Sequence, residues 1–585
     1  MESNALLISS FSGTIGGRGD SSRAAVIASA VRTEVKAAMK QRRIGLAIGL
    51  ALTLTVAACT PSSGTPSSGT PSSGTPTTTA AAPKTVTAAL ASFTTEKLYP
   101  PTTNADGLVY YGPMFDFLIG ASPEGKLSSE TGALKSWSPS ADAKVWTLAL
   151  RSGMKWHDGV DVTSADLDFT LKEYAKKEAI CGQVCGALGT NLASVDIVDG
   201  LTVRMNLKNP DVNIPALLGP IETNAVLLPK HRLEAGGVAG FEANPVGSGP
   251  WKFVSRVIGQ SIDYTANRSY WDSARAPKFD NLRIVLAPNQ NTRVAMLKAG
   301  EADLIGISPD QVPTSRQNGF QILTIANTVV TQIYFLESYA PAKLTNKLEF
   351  RKALALAIDM DQVIAAFYPP GTGRRHSGDS TPFSPQTLGY DANLKNYAYD
   401  PVEAKRLLAV AGYDGSPVKF YSVIFGDNPE QGDVNQAIAG YWSKVGLKVQ
   451  IVPTEFAPLS ARMADSSWDP APTVSLTAFS TSNRPSALTN IQTNMLSPES
   501  GGGRTRAYWN PTKMASYFNE VRTIADERAR DARLQQINDE IHDEYWTIPI
   551  ALKNTPYAAG PRIAGWTPIA GASKVPVYES LQPKG

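Results

Sequence analysis

Everything that can build a core in this chain lies after residue 84, and the reason is the composition of what precedes it. Residues 44–56, IGLAIGLALTLTV, form the chain's one long apolar run, and it is too short to span a bilayer comfortably. Lys40, Arg42 and Arg43 stand before it, and the small residues Ala57 and Ala58 follow it, ending at Cys59. That order of cationic start, apolar stretch and small residues is the layout of a cleaved secretory signal. Next come three copies of TPSSG at 60–64, 65–69 and 70–74, and then TPTTTAAAP. Proline and small polar residues bury almost no apolar area, so 59–84 reads as a solvated tether.

Val56-Ala57-Ala58-Cys59 resembles the lipobox of bacterial lipoproteins. That resemblance implies acylation of the Cys59 thiol and a mature, lipid-anchored chain on the extracytoplasmic face of the membrane. Met39 opens an ordinary signal n-region, so translation is expected to start there, with 1–38 an untranslated extension and 39–58 the signal.

Charge then looks different. Of 55 Lys+Arg and 52 Asp+Glu, seven and three precede Cys59, which leaves 48 against 49 in the rest. These charges are scattered, so a nucleic-acid partner is not expected. About 500 residues beyond the tether suffice for two or three domains. With Cys59 assigned to lipid, Cys181 and Cys185 remain in CGQVC, which outside the cytoplasm reads as a local disulfide. A CxxxC metal or redox site is the alternative, but no histidine or further cysteine lies near it, and no metal is expected.

Local signals place several elements. Residues 85–92 read as a strand, and 107–120 as a largely apolar stretch able to cross a buried sheet. Trp146, Leu148 and Leu150 share one face of an alternating strand, and Thr163 opens a helix. Leu201, Val203, Met205 and Leu207 alternate after an Asp199-Gly200 turn, giving a hairpin over 195–207. Asp400, Pro401 and Glu403 supply an N-cap, a first-position proline and an acidic cap for a helix that Gly412 stops. Helical periodicity also fits 346–357, 430–446 and 513–544. Strands and helices alternate without a strict βαβ period, which predicts α/β lobes with mixed sheets.

Signs of catalysis are sparse. The four histidines, 157, 231, 376 and 542, lie far apart without metal-ligand spacing. There is no GxSxG elbow, no Walker loop and no GxGxxG after a strand. Carboxylates are plentiful, but nothing pairs them as a glycosidase requires. The chain is therefore read as a non-enzyme without cofactors, with a secreted hydrolase as the rival from another class.

Residues 146–169, WTLALRSGMKWHDGVDVTSADLDF, resemble the signature of the family 5 extracytoplasmic solute-binding proteins, the oligopeptide and dipeptide receptors of ABC importers. The likeness continues through Leu98-Tyr99-Pro100, NPVGSGPWKF (244–253), NRSYWD (267–272), NTRVAMLKAGEADL (291–304), FRKALALAID (350–359), YDPVEAKRLLAVAGY (399–413) and IPI (548–550). It implies an α/β, two-lobed, periplasmic-binding-protein-like clamshell with an extra third domain, of the type II or cluster C kind. Domain I would comprise 85–123, 245–327 and 540–585, domain II 124–244, and domain III 328–539. A monomer would hold a small solute, peptide or peptide-like, between domains I and III and pass it to a permease and its ATPase subunits. An oligosaccharide, opine or metal chelate is the alternative cargo.

Most matching motifs also have a structural reading. His157-Asp158-Gly159 suits a turn in which Asp and His cap backbone groups, 246–250 suits a crossover loop, and Trp146 and Trp251 suit the core. In peptide-binding members an aspartate before an Asn-x-Pro-like segment holds the ligand's amino group. Aligning 479–488, FSTSNRPSAL, on that segment puts Thr481 at the aspartate, keeps Asn483 and Pro485, and places Arg484 where an acid is common. A hydroxyl cannot replace a carboxylate beside a buried ammonium without a loss of several kcal/mol, unless Asp465 or Asp469 compensates. The expected ligand therefore lacks a free α-amine or carries a negative group that meets Arg484. Backbone recognition is expected from Tyr110, Tyr111 and Gly112 in domain I and from Thr477, Phe479 and Thr481 in domain III. Strand alternation would let only one of the two tyrosines face outward.

Overall fold

The structure, a computed structural model, describes residues 84–585 apart from 222, 377–382, 424–429, 466, 484–485 and 497–510, together with the side chains of 464–465, 479, 493–494 and 511. The signal, Cys59, the tether and Arg484 therefore lie outside the described residues.

One long mixed sheet organises the chain. Its strand order is Val449–Thr454, Val418–Val423, Val474–Ser482, Gln321–Phe335, Thr547–Ala559, Leu304–Gly306, Thr85–Leu90, Asn281–Leu286, Ser261–Ala266 and Trp251–Val257, with Gly373–Arg375 also pairing on Thr547–Ala559. The two long central strands pair antiparallel with each other and continue into both halves of the sheet. We call the half from Leu304–Gly306 to Trp251–Val257 the first lobe, and the half from Val474–Ser482 to Val449–Thr454 the second. A separate antiparallel sheet, Leu134–Pro139, Val145–Leu150, Thr202–Leu207 and Leu192–Ile197, shares a continuous apolar core with the first lobe. Two further cores cover the second lobe, one built on the helices Leu348–Leu356 and Gln431–Lys444, the other on Ala487–Asn494 and Glu527–Asp543.

Elements with strong local signals form where the sequence places them. Ser164–Tyr174 starts at a capping box in which Asp166 Oδ2 accepts from Thr163 N at 2.9 Å. The hairpin turns at Asp199 and Gly200, and Asp400 caps Pro401–Val410 through Glu403 N. Trp146 and Trp251 are buried, and Cys181 and Cys185 are joined by a disulfide. His157 Nε2 donates to Gly249 O at 3.0 Å and Nδ1 accepts from Gly247 N at 3.2 Å, so the ring staples the 246–250 loop.

Two expectations need correction. Residues 107–120 do not cross a sheet: Leu108–Tyr111 is a helical turn and Gly112–Met114 a 3-10 turn. Residues 108–115 are apolar without a period of two, and Pro113 cannot donate to a ladder, so tertiary burial holds them; only the end of the stretch pairs, Phe117 with Val226 and Gly120 with Ser128. Residues 513–544 divide into Pro511–Val521 and Glu527–Asp543, because the Asp526 side chain accepts from Ala529 N at 2.7 Å and starts a new helix.

Candidate functional site

Strand direction locates the site. In the first lobe Leu304 pairs with Ala559 and Gly306 with Tyr557, so Leu304–Gly306 and its parallel neighbours Thr85–Leu90 and Asn281–Leu286 run toward the middle of the long strand pair. In the second lobe Phe335 pairs with Leu476 and Val329 with Ser482, so Val474–Ser482 and the parallel Val418–Val423 run toward the same point from the other side. Both sets of carboxyl ends thus face one crossover, the position where open α/β sheets bind ligands.

The crossover is a hinge in its backbone chemistry. Register breaks between Ile325 and Val329, and Asn327 takes a left-handed φ of 55°. Asn327 N donates to Asn554 Oδ1 at 3.0 Å, while Asn554 Nδ2 donates to Gly371 O at 2.9 Å. Amide side chains here replace the ladder bonds that the bulge forfeits.

A polar layer closes the hinge end of the second lobe's core. Thr331 Oγ1 and Ser480 Oγ lie 2.6 Å apart, Ser480 Oγ donates to Gln431 Oε1 at 3.2 Å, and Gln431 continues through Asn435 to Ser422 at 2.8 Å per step. Beside it Lys553 and Glu430 form an almost buried ion pair, and burial holds the Tyr368 phenol far above its ordinary pKa. On the first lobe, Thr94 and Thr95 are exposed after Thr85–Leu90, with Thr94 at φ 48° and Glu96 at 52°. Glu96 Oε2 accepts from Gly259 N at 2.8 Å and anchors that strained loop.

The expected solute residues fall in different places. Tyr110 and Tyr111 are both 0 % exposed: a helical turn replaces the strand, so alternation does not apply and neither ring has a free face. Tyr110 O accepts from the Tyr264 hydroxyl, and Tyr111 packs edge-on against Tyr110 and Phe115. Gly112 borders a cavity of about 360 Å³ with Asp116 and Arg275, walled by residues 108–131, 220, 250, 274–278 and 567–582 rather than by the second lobe. Thr477 is buried and donates to Tyr421 O at 3.0 Å. It lies five residues before Ser482, about 16 Å from the strand end that faces the crossover. Phe479 pairs through its backbone with Gln332, and Thr481, half-buried near the hinge, pairs with Val330. Asn483 is buried on the hinge itself, its Nδ2 donating to Asn327 O and to Gln386 Oε1 at 3.1 Å each. Asp469 cannot stand in for an acid at Thr481: it precedes the far end of that strand and is paired with Lys419 at 3.0 Å. Sequence reading missed Glu430, Gln431, Ser480 and Lys553. Glu430 was visible only as a residue at a helix start, with nothing to signal a partner 123 positions away.

A model of the bacterial extracellular solute-binding proteins, family 5, matches residues 130–494. The chain is 28% identical over 490 residues to the heme-binding protein A of Haemophilus influenzae, covering 79% of this chain and 85% of that protein. It is 25% identical over 386 residues to the dipeptide-binding protein of Escherichia coli, covering 62% and 70%. A solved structure of HbpA2 from Haemophilus parasuis superposes with a TM-score of 0.71 at 22% identity, covering 86% of this chain and 100% of that one. The two-lobed fold with its additional antiparallel sheet is the fold of these neighbours. The chain belongs to the bacterial extracellular solute-binding proteins of family 5, which bind their solute and do not transform it.

Proposed function

We propose that this protein captures a small peptide-like solute between its lobes outside the membrane and presents it to the permease of an ABC importer. The observation that carries the reading is the convergence of both lobes' parallel strands on one bulged crossover at 326–328 and 554–555. Closure there would bury the solute between the half-buried Ser480 and Thr481, which the buried Thr331 and Gln431 back from within the core, and the loop after Thr85–Leu90. The switch needs only a higher affinity of one lobe arrangement for solute. The reading includes, as part of the proposal, a domain I of 85–123, 245–327 and 540–585, a domain II of 124–244 and a domain III of 328–539.

The neutral Thr481 favours a solute without a free α-amine or with an acidic group. One relative is named for heme, a cargo with carboxylates and no α-amine, and another for dipeptides. A melting panel of free peptides, N-acylated and acidic peptides, sugars and chelates tests this. A true solute at a hundred times its Kd adds about 2.7 kcal/mol and raises the melting temperature. We expect N-acylated or acidic peptides to do so at lower concentration than the matching free peptide. No rise with any member would oppose solute capture of this class.

We propose further that Cys59 carries the lipid and keeps the receptor beside its permease. Cys59→Ala should move the protein from the membrane fraction to the soluble fraction. Retention of the variant in the membrane would contradict the anchor.

A further inference from the structure

Asn483 follows the strand end that faces the crossover, yet its side chain is spent on the hinge. Its backbone N donates to Thr328 O at 2.8 Å, and the two hydrogens of Nδ2 go to Asn327 O and Gln386 Oε1. Gln386 lies between Phe383 and Leu388, which are anchored in the second lobe's core. Facing it is the first lobe. Gly571 N donates to Ala326 O at 2.7 Å, and Ala570 N donates to Pro123 O at 2.9 Å. A Cβ at Gly125 would stand 2.8 Å from Gln386 Cγ and 2.3 Å from Ala570 O, and one at Gly571 would be 3.7 Å from Asn483 Nδ2. The turn at 122–126 and the 570–571 loop therefore pack so close to Gln386 and Asn483 that a side chain at Gly125 would not fit, beside the bulge about which the lobes would turn.

We propose that Gln386 and Asn483 form a cross-lobe latch that fixes the backbone of the hinge bulge and seats the 570–571 loop, with no solute required. Asn483 is then a positioning residue, acting through Asn327 and Ala326 rather than on the cargo. Other contacts lie apart from the latch: Arg316 Nη2 donates to Pro370 O at 3.1 Å, and Asn213 Nδ2 donates to Thr489 Oγ1 at 2.6 Å, joining the segment after the antiparallel sheet to the second lobe. Losing the latch should loosen the hinge bulge without releasing those contacts. Its consequence for cargo rests on the solute-capture reading: a preset hinge spares the solute part of the ordering cost of closure. The latch itself is tested without any solute, so its failure and that of the capture reading are separable.

Hydrogen exchange followed by mass spectrometry on the ligand-free full chain reads it. Gln386→Ala and Asn483→Asp should each speed exchange at Gly571 and across 326–330 about tenfold, the effect of losing one or two ordinary hydrogen bonds. Thr85–Leu90 and Val418–Val423 should exchange as in wild type. Gln386→Met keeps the volume at 386 but offers Asn483 Nδ2 no acceptor, so it should speed exchange as alanine does, whereas a mere volume effect would leave it at wild-type protection. If Asn483→Asp fails to fold, the Gln386 pair decides alone. Unchanged exchange at Gly571 and 326–330 in Gln386→Ala, or an equal rise everywhere, would overturn the latch.

Discussion

His157 and Asp116 sit in the same lobe and titrate in opposite senses. Burial lowers the His157 pKa from 6.5 to about 4, while burial raises that of Asp116 from 3.8 to about 6 despite its bond from the Tyr270 hydroxyl. Between pH 4 and 6.5 the unfolded chain binds the histidine proton and the folded chain does not, so His157 costs stability as pH falls through that window. Between pH 3.8 and 6 the folded chain keeps the Asp116 proton and the unfolded chain releases it, so Asp116 costs stability as pH rises. Each amounts to at most about 3 kcal/mol, and in wild type they largely cancel. His157→Asn should therefore gain relative stability as pH falls from 6 to 4, and Asp116→Asn should lose it, as read by urea midpoints at several pH values. Parallel pH profiles for both variants would contradict the assignment. At this scale the sequence was least legible. His157 was recognisable as a turn residue because Gly159 follows it. Asn483 was not recognisable as a hinge residue, because its acceptor at 327 is 156 positions away and leaves no local trace.

Elements were legible where their ends carry chemistry. Thr163 with Asp166 and Asp400 with Pro401 mark helix starts by side-chain acceptors within three residues, so local sequence is sufficient. Asp166→Ala removes that cap and an acceptor for Lys230 N at 3.1 Å, and should cost about 1–2 kcal/mol in an unfolding titration. The stretch 107–120 was misread because apolar residues without periodicity fit any buried segment. Its true constraint is a close backbone approach. A Cβ at Gly247 would lie 1.7 Å from Met114 O, and one at Gly249 would lie 2.6 Å from Phe115 N. Gly247→Ala should then destabilise by more than about 3 kcal/mol, whereas Gly200→Ala, with open space around its Cβ, should not approach that loss. Similar losses in the two variants would show that the 246–250 loop does not pack as described.

For the whole molecule, the ordered run of motifs made the family and its lobes readable before the structure was, because each motif is local. The site was not readable in the same way. Its surfaces come from strand ends at 90, 306, 423 and 482 that only the sheet order brings to one crossover. Two long strands passing through both lobes, a register break, and amide side chains in place of ladder bonds are what the proposed closing and reopening around a solute would use. The most direct test is native mass spectrometry of the full chain after incubation with a mixture of free, N-acylated and acidic peptides. The account predicts a noncovalent complex with one solute per chain, carrying an N-blocked or acidic peptide, released with unchanged mass on activation. Retention of an ordinary free-amine peptide instead would contradict the reading of Thr481, and the absence of any stoichiometric complex, or release of a cleaved peptide, would contradict solute capture itself.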